Sequence, residues 1–169
     1  INNGTITDQI TPTFTYNGTI DFVHGTFSVP AYTIDAGTTL APTMDLSYSG
    51  NETINGVLSL ASVDYTHTSG TFTLSSTGSI THTGDSVLYF AGGAAEFQGN
   101  GSNNDTPVVI SGNTTLSNGD TGNIKPGTNV DFTVNPGVTA TIWSTHALDI
   151  NQTTASFTNN GTLTGLNSF

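Results

Sequence analysis

The side chains that could act as acids, bases or metal ligands are few and widely separated in this chain. It has four His, at positions 24, 67, 82 and 146, and no Cys. His67 and His82 both lie in Thr-His-Thr contexts, but the four imidazoles lack the spacing of a metal site. We therefore expect solvated surface histidines and no metal site.

The acidic residues form no catalytic motif. No Ser lies in a Gly-x-Ser-x-Gly sequence and no phosphate-binding glycine loop occurs, so we predict that the protein is not an enzyme. A pair of carboxylates brought together by folding, as in glycosidases, is the arrangement that the sequence leaves open. The loop from Asn118 to Asn123 offers Asp120 and several carbonyl oxygens, but it lacks the further carboxylates of a strong calcium loop. We therefore expect no calcium and no other cofactor.

Asn-x-Ser/Thr sequons, the acceptors for N-linked glycans, are spread along the chain. Nearly all of them lie in predicted turns and loops, where a glycosylating enzyme has access. Asn104 is the weakest, because Pro107 follows its Thr106. In a host that glycosylates exported proteins we expect N-linked glycans at several of these sites: Asn3, Asn17, Asn51, Asn100, Asn104, Asn113, Asn151 and Asn160.

The charge of the chain excludes several classes of partner. Its 12 acidic residues stand against one base, Lys125, which gives a formal net charge of -11. Nucleic acid and anionic membranes both need a basic surface, so we expect neither as a partner. No run of about 18 apolar residues occurs, so we predict no membrane span. The low charge and a first residue that is Ile1 rather than Met favour an exported protein of the cell surface.

The start of the chain has the clearest strand pattern. Apolar residues recur at even positions, at Ile6, Ile10, Phe14 and Tyr16, with polar residues between them. This is the two-residue period of a strand with one buried face, and it ends at the Asn-Gly turn pair of positions 17 and 18. Such a terminal strand pairs either with its own sheet or with the sheet of another copy of the chain.

The remaining patterns also predict strands. No stretch repeats apolar residues at intervals of three and four over a helical length, so we predict an all-β fold. The clearest hairpin joins the runs 130–134 and 138–142 through Asn135-Pro136-Gly137. The continuous apolar run Val87-Leu88-Tyr89-Phe90 predicts a central strand that is buried on both faces.

Two all-β architectures compete: an antiparallel β-sandwich, Ig-like or jelly-roll, and a parallel β-solenoid. Recurring Gly-Thr-apolar units indicate the solenoid; they begin at Gly4, Gly18, Gly25, Gly70 and Gly161. Their spacings settle to no single period, which a stack of coils should show. The long alternating runs and the hairpin favour the sandwich. We therefore predict an N-terminal extension over residues 1–18 and a β-sandwich head over residues 19–169.

The chain resembles the exported, Thr- and Asn-rich subunits of archaeal surface filaments called threads, and more distantly pilins joined by donor-strand complementation. The residues that carry the resemblance are the alternating Ile6, Ile10, Phe14 and Tyr16, together with the near absence of Lys and Arg, the lack of Cys and the spread of sequons. The resemblance implies a β-sandwich head, an N-terminal donor strand given to the adjacent subunit, and glycans over the outside.

Two functions follow from these patterns. The first is a structural subunit of an extracellular filament, in which copies join head to tail by inserting the N-terminal strand into the neighbouring subunit. The second is a β-solenoid adhesin or tail-fibre-like protein that binds a surface or a glycan through an exposed face. We expect either protein to be extracellular and attached to or exposed at the cell surface.

Overall fold

The computed structural model describes five stretches of the chain with their side chains and four short strands near the N-terminus by their backbone. The five stretches are residues 31–98, 104–119, 123–143, 147–150 and 155–165, and the four strands lie at 6–7, 14–16, 19–20 and 27–28. These described residues form β-strands and connecting turns and no helix, which confirms the all-β prediction. The same residues contain no apolar helix of a length that could cross a membrane.

The strands of the described residues are numbered β1 to β20 along the chain and form four sheets. The eight-stranded sheet contains β2 (Phe14–Tyr16), β5 (Ala31–Ile34), β8 (Asn51–Ile54), β11 (Thr71–Leu74), β14 (Ala94–Phe97), β16 (Thr114–Ser117), β18 (Thr139–Ile142) and β20 (Thr162–Thr164). The six-stranded sheet contains β7 (Leu46–Ser49), β10 (Tyr65–Ser69), β13 (Leu88–Phe90), β15 (Val108–Ile110), β17 (Phe132–Val134) and β19 (Phe157–Asn159). The four-stranded sheet contains β3 (Thr19–Ile20), β6 (Thr39–Leu40), β9 (Val57–Ala61) and β12 (Ser79–Thr83), and the two-stranded sheet pairs β1 (Ile6–Thr7) with β4 (Phe27–Ser28).

The chain visits these sheets in a cyclic order. From β7 in the six-stranded sheet it passes to β8 in the eight-stranded sheet and β9 in the four-stranded sheet, and the next circuit runs through β10, β11 and β12. Each of these strands pairs in parallel with its counterpart one circuit away. Beyond β12, single bridges extend the side of the coil that the four-stranded sheet forms. They lie between Ile80 and Asn104 and between Ile124 and Leu148. The fold is a β-solenoid, so the alternative architecture is confirmed and the antiparallel sandwich prediction is wrong.

The hairpin predicted around Asn135-Pro136-Gly137 is not formed. β17 before this turn pairs with β15 and β19 in the six-stranded sheet, whereas β18 after it pairs with β16 and β20 in the eight-stranded sheet. The turn is a corner between two sheets. A hairpin and a corner both use Pro and a glycine at positive φ, here Gly137 with a φ of 74°. The local turn chemistry therefore does not reveal which of the two forms.

The corner between β10 and β11 is tight enough to require glycine. Gly70 alone joins these strands, with a φ of 85°, and a Cβ on it would stand 2.3 Å from the carbonyl oxygen of Gly50 in the preceding coil. Main-chain hydrogen bonds stack the corners: the Gly50 N–H donates to the Ser69 carbonyl over 2.9 Å, and the Ala94 N–H donates to the Gly70 carbonyl over 2.8 Å. Without side chains at these corners, consecutive coils can stack backbone on backbone.

The Gly-Thr-apolar units do begin strands, but the strands belong to different sheets. Two of the units begin β1 and β4 in the two-stranded sheet, one begins β3 in the four-stranded sheet, and two begin β11 and β20 in the eight-stranded sheet. The coil length also varies, as the register shows: paired residues are 18 positions apart at Thr39 and Val57 and 26 positions apart at Thr114 and Ala140. The spacings of the units mix steps around a coil with steps between coils, which hides the repeat.

In the strands from β5 to β18, alternate residues point into the coil and form the core. Inward side chains stack in columns, such as Leu46, Tyr65, Leu88, Val108 and Phe132 in the six-stranded sheet, all of them buried. In the run 87–90, Leu88 and Phe90 are buried, but Tyr89 between them faces outward and is half-buried. The prediction that this run is buried on both faces is wrong, because each side of a solenoid has solvent on its outer face.

The predicted donor strand pairs within its own chain. Ile6 lies in β1, which pairs with β4, and Phe14 and Tyr16 form the ends of β2, which pairs with β5. Ile10 lies outside the described residues. The pairing of β2 with β5 also joins the predicted segments 1–18 and 19–169 in one sheet. A donor role would require β1 and β2 to leave these pairings.

Candidate functional site

A carboxylate lies in the interior of the coil. Glu52 occupies an inward position of β8, between Tyr32 of β5 and Phe72 of β11, and is 1% exposed. Tyr65 and His67 point inward from β10 and are also buried. We name Tyr32, Glu52, Tyr65 and His67 the interior cluster.

Hydrogen bonds join the four side chains of the interior cluster. The Tyr32 hydroxyl donates to Glu52 Oε2 over 2.5 Å, the Tyr65 hydroxyl donates to the same oxygen, and the two hydroxyl oxygens lie 2.5 Å apart. His67 Nδ1 lies 2.6 Å from Glu52 Oε1. We assign a proton to Nδ1 because a carboxylate oxygen can only accept. Both oxygens of Glu52 thus have buried donors, which is what a carboxylate needs in a dry interior.

Burial raises the pKa of both phenols in the interior cluster. The pKa of Tyr32 lies well above its usual value, first because the hydroxyl is buried and second because the negative charge of Glu52 opposes a second negative charge. The pKa of Tyr65 is raised well above its usual value by the same two causes in the same order. Both hydroxyls therefore keep their protons at neutral pH and serve as donors.

The interior cluster has no access for a ligand. The His67 ring lies 6.0 Å from the Phe72 ring and 6.1 Å from the Phe90 ring. Its Nε2 has no hydrogen-bond partner among the described residues. A ring that carries its proton on Nδ1 leaves only an unpaired acceptor at Nε2, which costs less free energy than an unpaired N–H donor there. The cluster is structural, and the expectation that His67 is a solvated surface residue is wrong.

The predicted metal ligands are not brought together. His82 lies on β12 with its Nδ1 3.2 Å from Asp105 Oδ1, whereas His67 lies inside β10 in another sheet. Within the described ranges, no group of three or more His, Asp or Glu side chains could hold a metal ion. His24 and His146 lie outside the described residues.

A side-chain amide occupies part of the loop from Asn118 to Asn123, where we expect no calcium. Asn118 is 1% exposed, and its Nδ2 donates to the carbonyl oxygen of Asn123 over 2.5 Å. That carbonyl is one of the oxygens that the loop sequence could offer to a cation. Asp120 lies outside the described residues.

The predicted glycosylation sites differ in exposure. Asn51, Asn113 and Asn160 are exposed, whereas Asn104 is 0% exposed. The Nδ2 atom of Asn104, to which a glycan would be joined, donates to the carbonyls of residues 106 and 126 over 3.1 and 2.7 Å. The folded chain therefore does not present Asn104 to a glycosylating enzyme. The other sequon residues lie outside the described part: Asn3, Asn17, Asn100 and Asn151.

The outer side of the eight-stranded sheet presents a regular array of hydroxyl groups. Its outward residues are in register from strand to strand and therefore stack in columns. One column contains Thr33, Thr53, Thr73, Glu96 and Ser117. A second column contains Asn51, Thr71, Ala94, Thr115, Thr141 and Thr164. Columns are about 6.6 Å apart and strands about 4.8 Å apart, so these residues, which we name the threonine face, form a grid.

The threonine face is nearly free of charge. Glu96 is the one ionisable side chain among the outward residues of its described strands, and its Oε1 accepts a hydrogen bond from Gln98 Nε2 over 2.6 Å. The threonine face therefore offers hydroxyl and methyl groups without a strong local field.

An apolar hollow lies beside the last described strands. It is lined by Leu148, Ile150, Phe157 and Leu163, and Phe157 is 42% exposed. The Phe157 ring stacks on the Phe132 ring at 6.0 Å, so the hollow continues a column of the core. The described residues leave this end of the core partly uncovered.

No protein-family model, curated protein or solved structure matches this chain. The fold and the site define its class as a parallel β-solenoid with a sealed polar cluster and an almost uncharged outer face. The resemblance to archaeal thread subunits stays a prediction.

The sequence patterns above did not lead us to predict the interior cluster, although one of them indicates it. In β8, Glu52 and Ile54 share the inward parity, so the carboxylate occupies an apolar position of the strand. In β10, Tyr65 and His67 share the inward parity in the same way. An acid and an imidazole on the buried sides of two strands predict a buried pair, because neither is buried alone without a large cost in free energy.

Proposed function

We propose that the protein is a non-catalytic, surface-binding β-solenoid, an adhesin that holds a neutral polysaccharide along its threonine face. The observation that carries this proposal is the grid of in-register hydroxyl groups on the eight-stranded sheet, where Glu96 is the one ionisable outward side chain among the strands whose side chains are described. Solenoids commonly bind through such extended surfaces, because stacking repeats the same outward positions from coil to coil.

A grid of threonines suits a ligand with many hydroxyl groups. Each Thr hydroxyl can both donate and accept, and each methyl group offers a small apolar contact. Neighbouring strands repeat these groups about every 4.8 Å along the coil axis. A linear ligand lying along this axis meets similar contacts at each strand, and many weak contacts then act together.

The charge of the protein favours a neutral ligand. The chain carries a formal net charge of -11 with one Lys and no Arg. A polysaccharide with sulfate or uronic acid groups would be repelled by this charge and would find no Arg to bind it.

Glycosylation and ligand binding would compete on the threonine face. Asn51 is part of one column of this face, and the Oδ1 of Asn113 accepts a hydrogen bond from the Thr139 N–H over 2.9 Å in the same sheet. A glycan on either residue would cover neighbouring threonines. For an extracellular adhesin we therefore expect tighter ligand binding by protein that lacks glycans at these two sites.

Unglycosylated recombinant protein, tested on a glycan array and with insoluble polysaccharides, provides the experiment. We expect it to bind neutral polymers and not sulfated or uronic ones. The double variant Thr53→Lys/Thr73→Lys should weaken binding about tenfold by blocking one column. The matched control Thr66→Lys/Thr133→Lys adds the same charge to the six-stranded sheet and should bind normally. Equal losses in the two pairs, or no binding to any neutral glycan, would reject the proposal.

A second candidate function is assembly into an extracellular filament, which the apolar hollow favours. Its lining of Leu148, Ile150, Phe157 and Leu163 is core surface that a further layer of strands could cover. The edges of β19 and β20 that face away from the other described strands could pair with such a layer. The partner would be a second copy of this chain, stacked along the coil axis.

Electron microscopy of the purified protein tests this second candidate. We expect uniform filaments that are lost in Leu163→Asp, which places a charge in the hollow. The control Thr162→Asp, on the outward side of the same strand, should leave the filaments intact. Discrete particles in the unmodified protein would exclude the filament.

A further inference from the structure

An exposed tryptophan lies at the edge of the threonine face. Trp143 directly follows β18, and its side chain is 57% exposed. It is the one Trp of the chain. Tryptophan is among the residues most often found where a protein binds a partner, because its ring gives a large apolar contact and its N–H a polar one.

The backbone fixes the place of this indole in the grid. The Trp143 N–H donates to the Leu116 carbonyl over 2.9 Å, and Ile142, which precedes it, is paired with Leu116 and is 1% exposed. Position 143 therefore follows Ser117 in the column that contains Glu96 and Ser117. Glu96 and Trp143 lie two strands apart, which corresponds to about 10 Å between their backbones.

Two contacts hold the Glu96 carboxylate in place. Gln98 Nε2 donates to Glu96 Oε1 over 2.6 Å. The backbone of Gly119 lies against the same oxygen, since a Cβ on Gly119 would stand 1.9 Å from it. Polar groups that are already held lose less conformational entropy when a ligand binds, so Glu96 and Gln98 are pre-organised for hydrogen bonding.

We propose that Trp143, Ser117, Glu96 and Gln98 form a subsite for one or two rings of a neutral hexose oligosaccharide. The indole stacks on the apolar C–H face of one sugar ring. The carboxylate accepts hydrogen bonds from the hydroxyl groups of the neighbouring ring, and the Gln98 amide and the Ser117 hydroxyl add further polar contacts. This inference rests on the proposed function and assigns the strongest contact of the polysaccharide to this end of the column.

The tryptophan fluorescence of the full chain, excited at wavelengths that its five Tyr do not absorb, reports on this subsite alone, because Trp143 is its one Trp. The probes are cellohexaose, laminarihexaose and mannohexaose. We expect at least one of them to shift the emission to shorter wavelength in a saturable way and to protect the indole from quenching by acrylamide. By calorimetry with the same hexaose, Trp143→Ala should weaken binding at least about tenfold, and Trp143→Phe should weaken it less.

Control variants separate this subsite from general effects. Phe157→Ala removes the exposed aromatic ring of the hollow and should leave the affinity unchanged. Gln98→Ala is no control but a second variant within the subsite, and it should weaken binding about fivefold, because it removes one polar contact with the sugar and releases the Glu96 carboxylate. Far-UV circular dichroism should show an intact fold in each variant, because none of the three substituted side chains is buried.

The outcomes distinguish the subsite from the proposed function. If a hexaose binds without changing the emission, and Trp143→Ala binds it with unaltered affinity, the subsite is overturned and the threonine face remains the binding surface. If no neutral glycan binds the unmodified protein by calorimetry or on the array, both proposals are overturned.

Discussion

Around β5, β8 and β10 the interior of the coil holds a carboxylate, two phenols and an imidazole, whereas the inward positions of β16, β17 and β18 include Leu116, Phe132 and Ile142. All three of these apolar residues are at most 1% exposed, and the members of the interior cluster are at most 4% exposed. The two regions are equally shielded from water, but they differ in what their packing requires. The apolar region requires side chains whose volumes fill the space between the sheets, and the interior cluster requires that each hydrogen-bond donor keep its acceptor.

The difference lies in how many partners depend on one residue. In the interior cluster, Tyr32, Tyr65 and His67 all direct a polar hydrogen at Glu52. In the apolar region, a side chain such as Leu116 makes van der Waals contacts, and no neighbouring side chain depends on it for a hydrogen bond. Removing the carboxylate therefore affects three other buried groups, whereas removing an apolar side chain leaves a cavity.

The largest effect is expected from Glu52→Ala. This change removes the acceptor of three buried donors, of which only the two phenols lie close enough to bond to each other, and it leaves a cavity, so it should lower the free energy of unfolding by about 3–5 kcal/mol. Glu52→Gln keeps the shape but replaces an acceptor by a donor, and should cost about 1–3 kcal/mol. Urea denaturation measures both. A cost below about 1 kcal/mol for Glu52→Ala would mean that the donors find other acceptors.

In the apolar region, Leu116→Ala should lower the free energy of unfolding by about 2–5 kcal/mol, because the interior closes only partly around the cavity. Leu116→Met conserves volume and should cost less than about 1.5 kcal/mol. The same urea series measures both variants. If Leu116→Met cost more than Glu52→Gln, the contrast between the two regions would be lost.

Alkaline pH should weaken the interior cluster and leave the apolar region unaffected. Because the pKa of Tyr65 is raised, the folded protein keeps a phenol proton that the unfolded chain loses above about pH 10. The contribution to stability is therefore complete below about pH 10 and declines by about 1.4 kcal/mol per pH unit for each such phenol as the pH rises further.

Thermal unfolding between pH 8 and pH 11.5 measures this decline. Tyr65→Phe, which removes one of the titrating phenols, should show a shallower decline than the unmodified protein. Tyr89→Phe, on the outer side of β13, is the control and should decline as steeply as the unmodified protein. Identical slopes in the three proteins would contradict the role assigned to the buried phenols.

The smallest effect is expected at an exposed carboxylate. The backbone N–H of Ser156, and then its hydroxyl, donate to Asp131 Oδ1 over 2.8 and 2.9 Å, and these bonds lower the pKa of Asp131 below its usual value. The stabilisation is present above the usual pKa and is lost as the pH falls through the lowered one. Asp131→Asn should therefore show a smaller drop in Tm between pH 6 and pH 2.5 than the unmodified protein. Equal drops would remove the contribution assigned to Asp131.

The all-β class could be predicted because the alternation of inward and outward residues is local to each strand. The direction of pairing could not, since the same turn chemistry at Asn135-Pro136-Gly137 serves a hairpin or a corner. The coil repeat was hidden because its length varies between 18 and 26 residues. The threonine face follows from the sequence only once the register is known, because Thr73 and Thr53 become neighbours through pairing between strands 20 positions apart.

The parallel pairing also determines how the molecule would respond to tension. The hydrogen bonds between strands run along the coil axis, so the coils carry a force along this axis in series and the weakest coil opens first. A coil of 18 to 26 residues that opens under load releases about 60–90 Å of chain. A solenoid tethered at one end and bound to a surface at the other would lengthen in such steps and dissipate mechanical work before either attachment is lost.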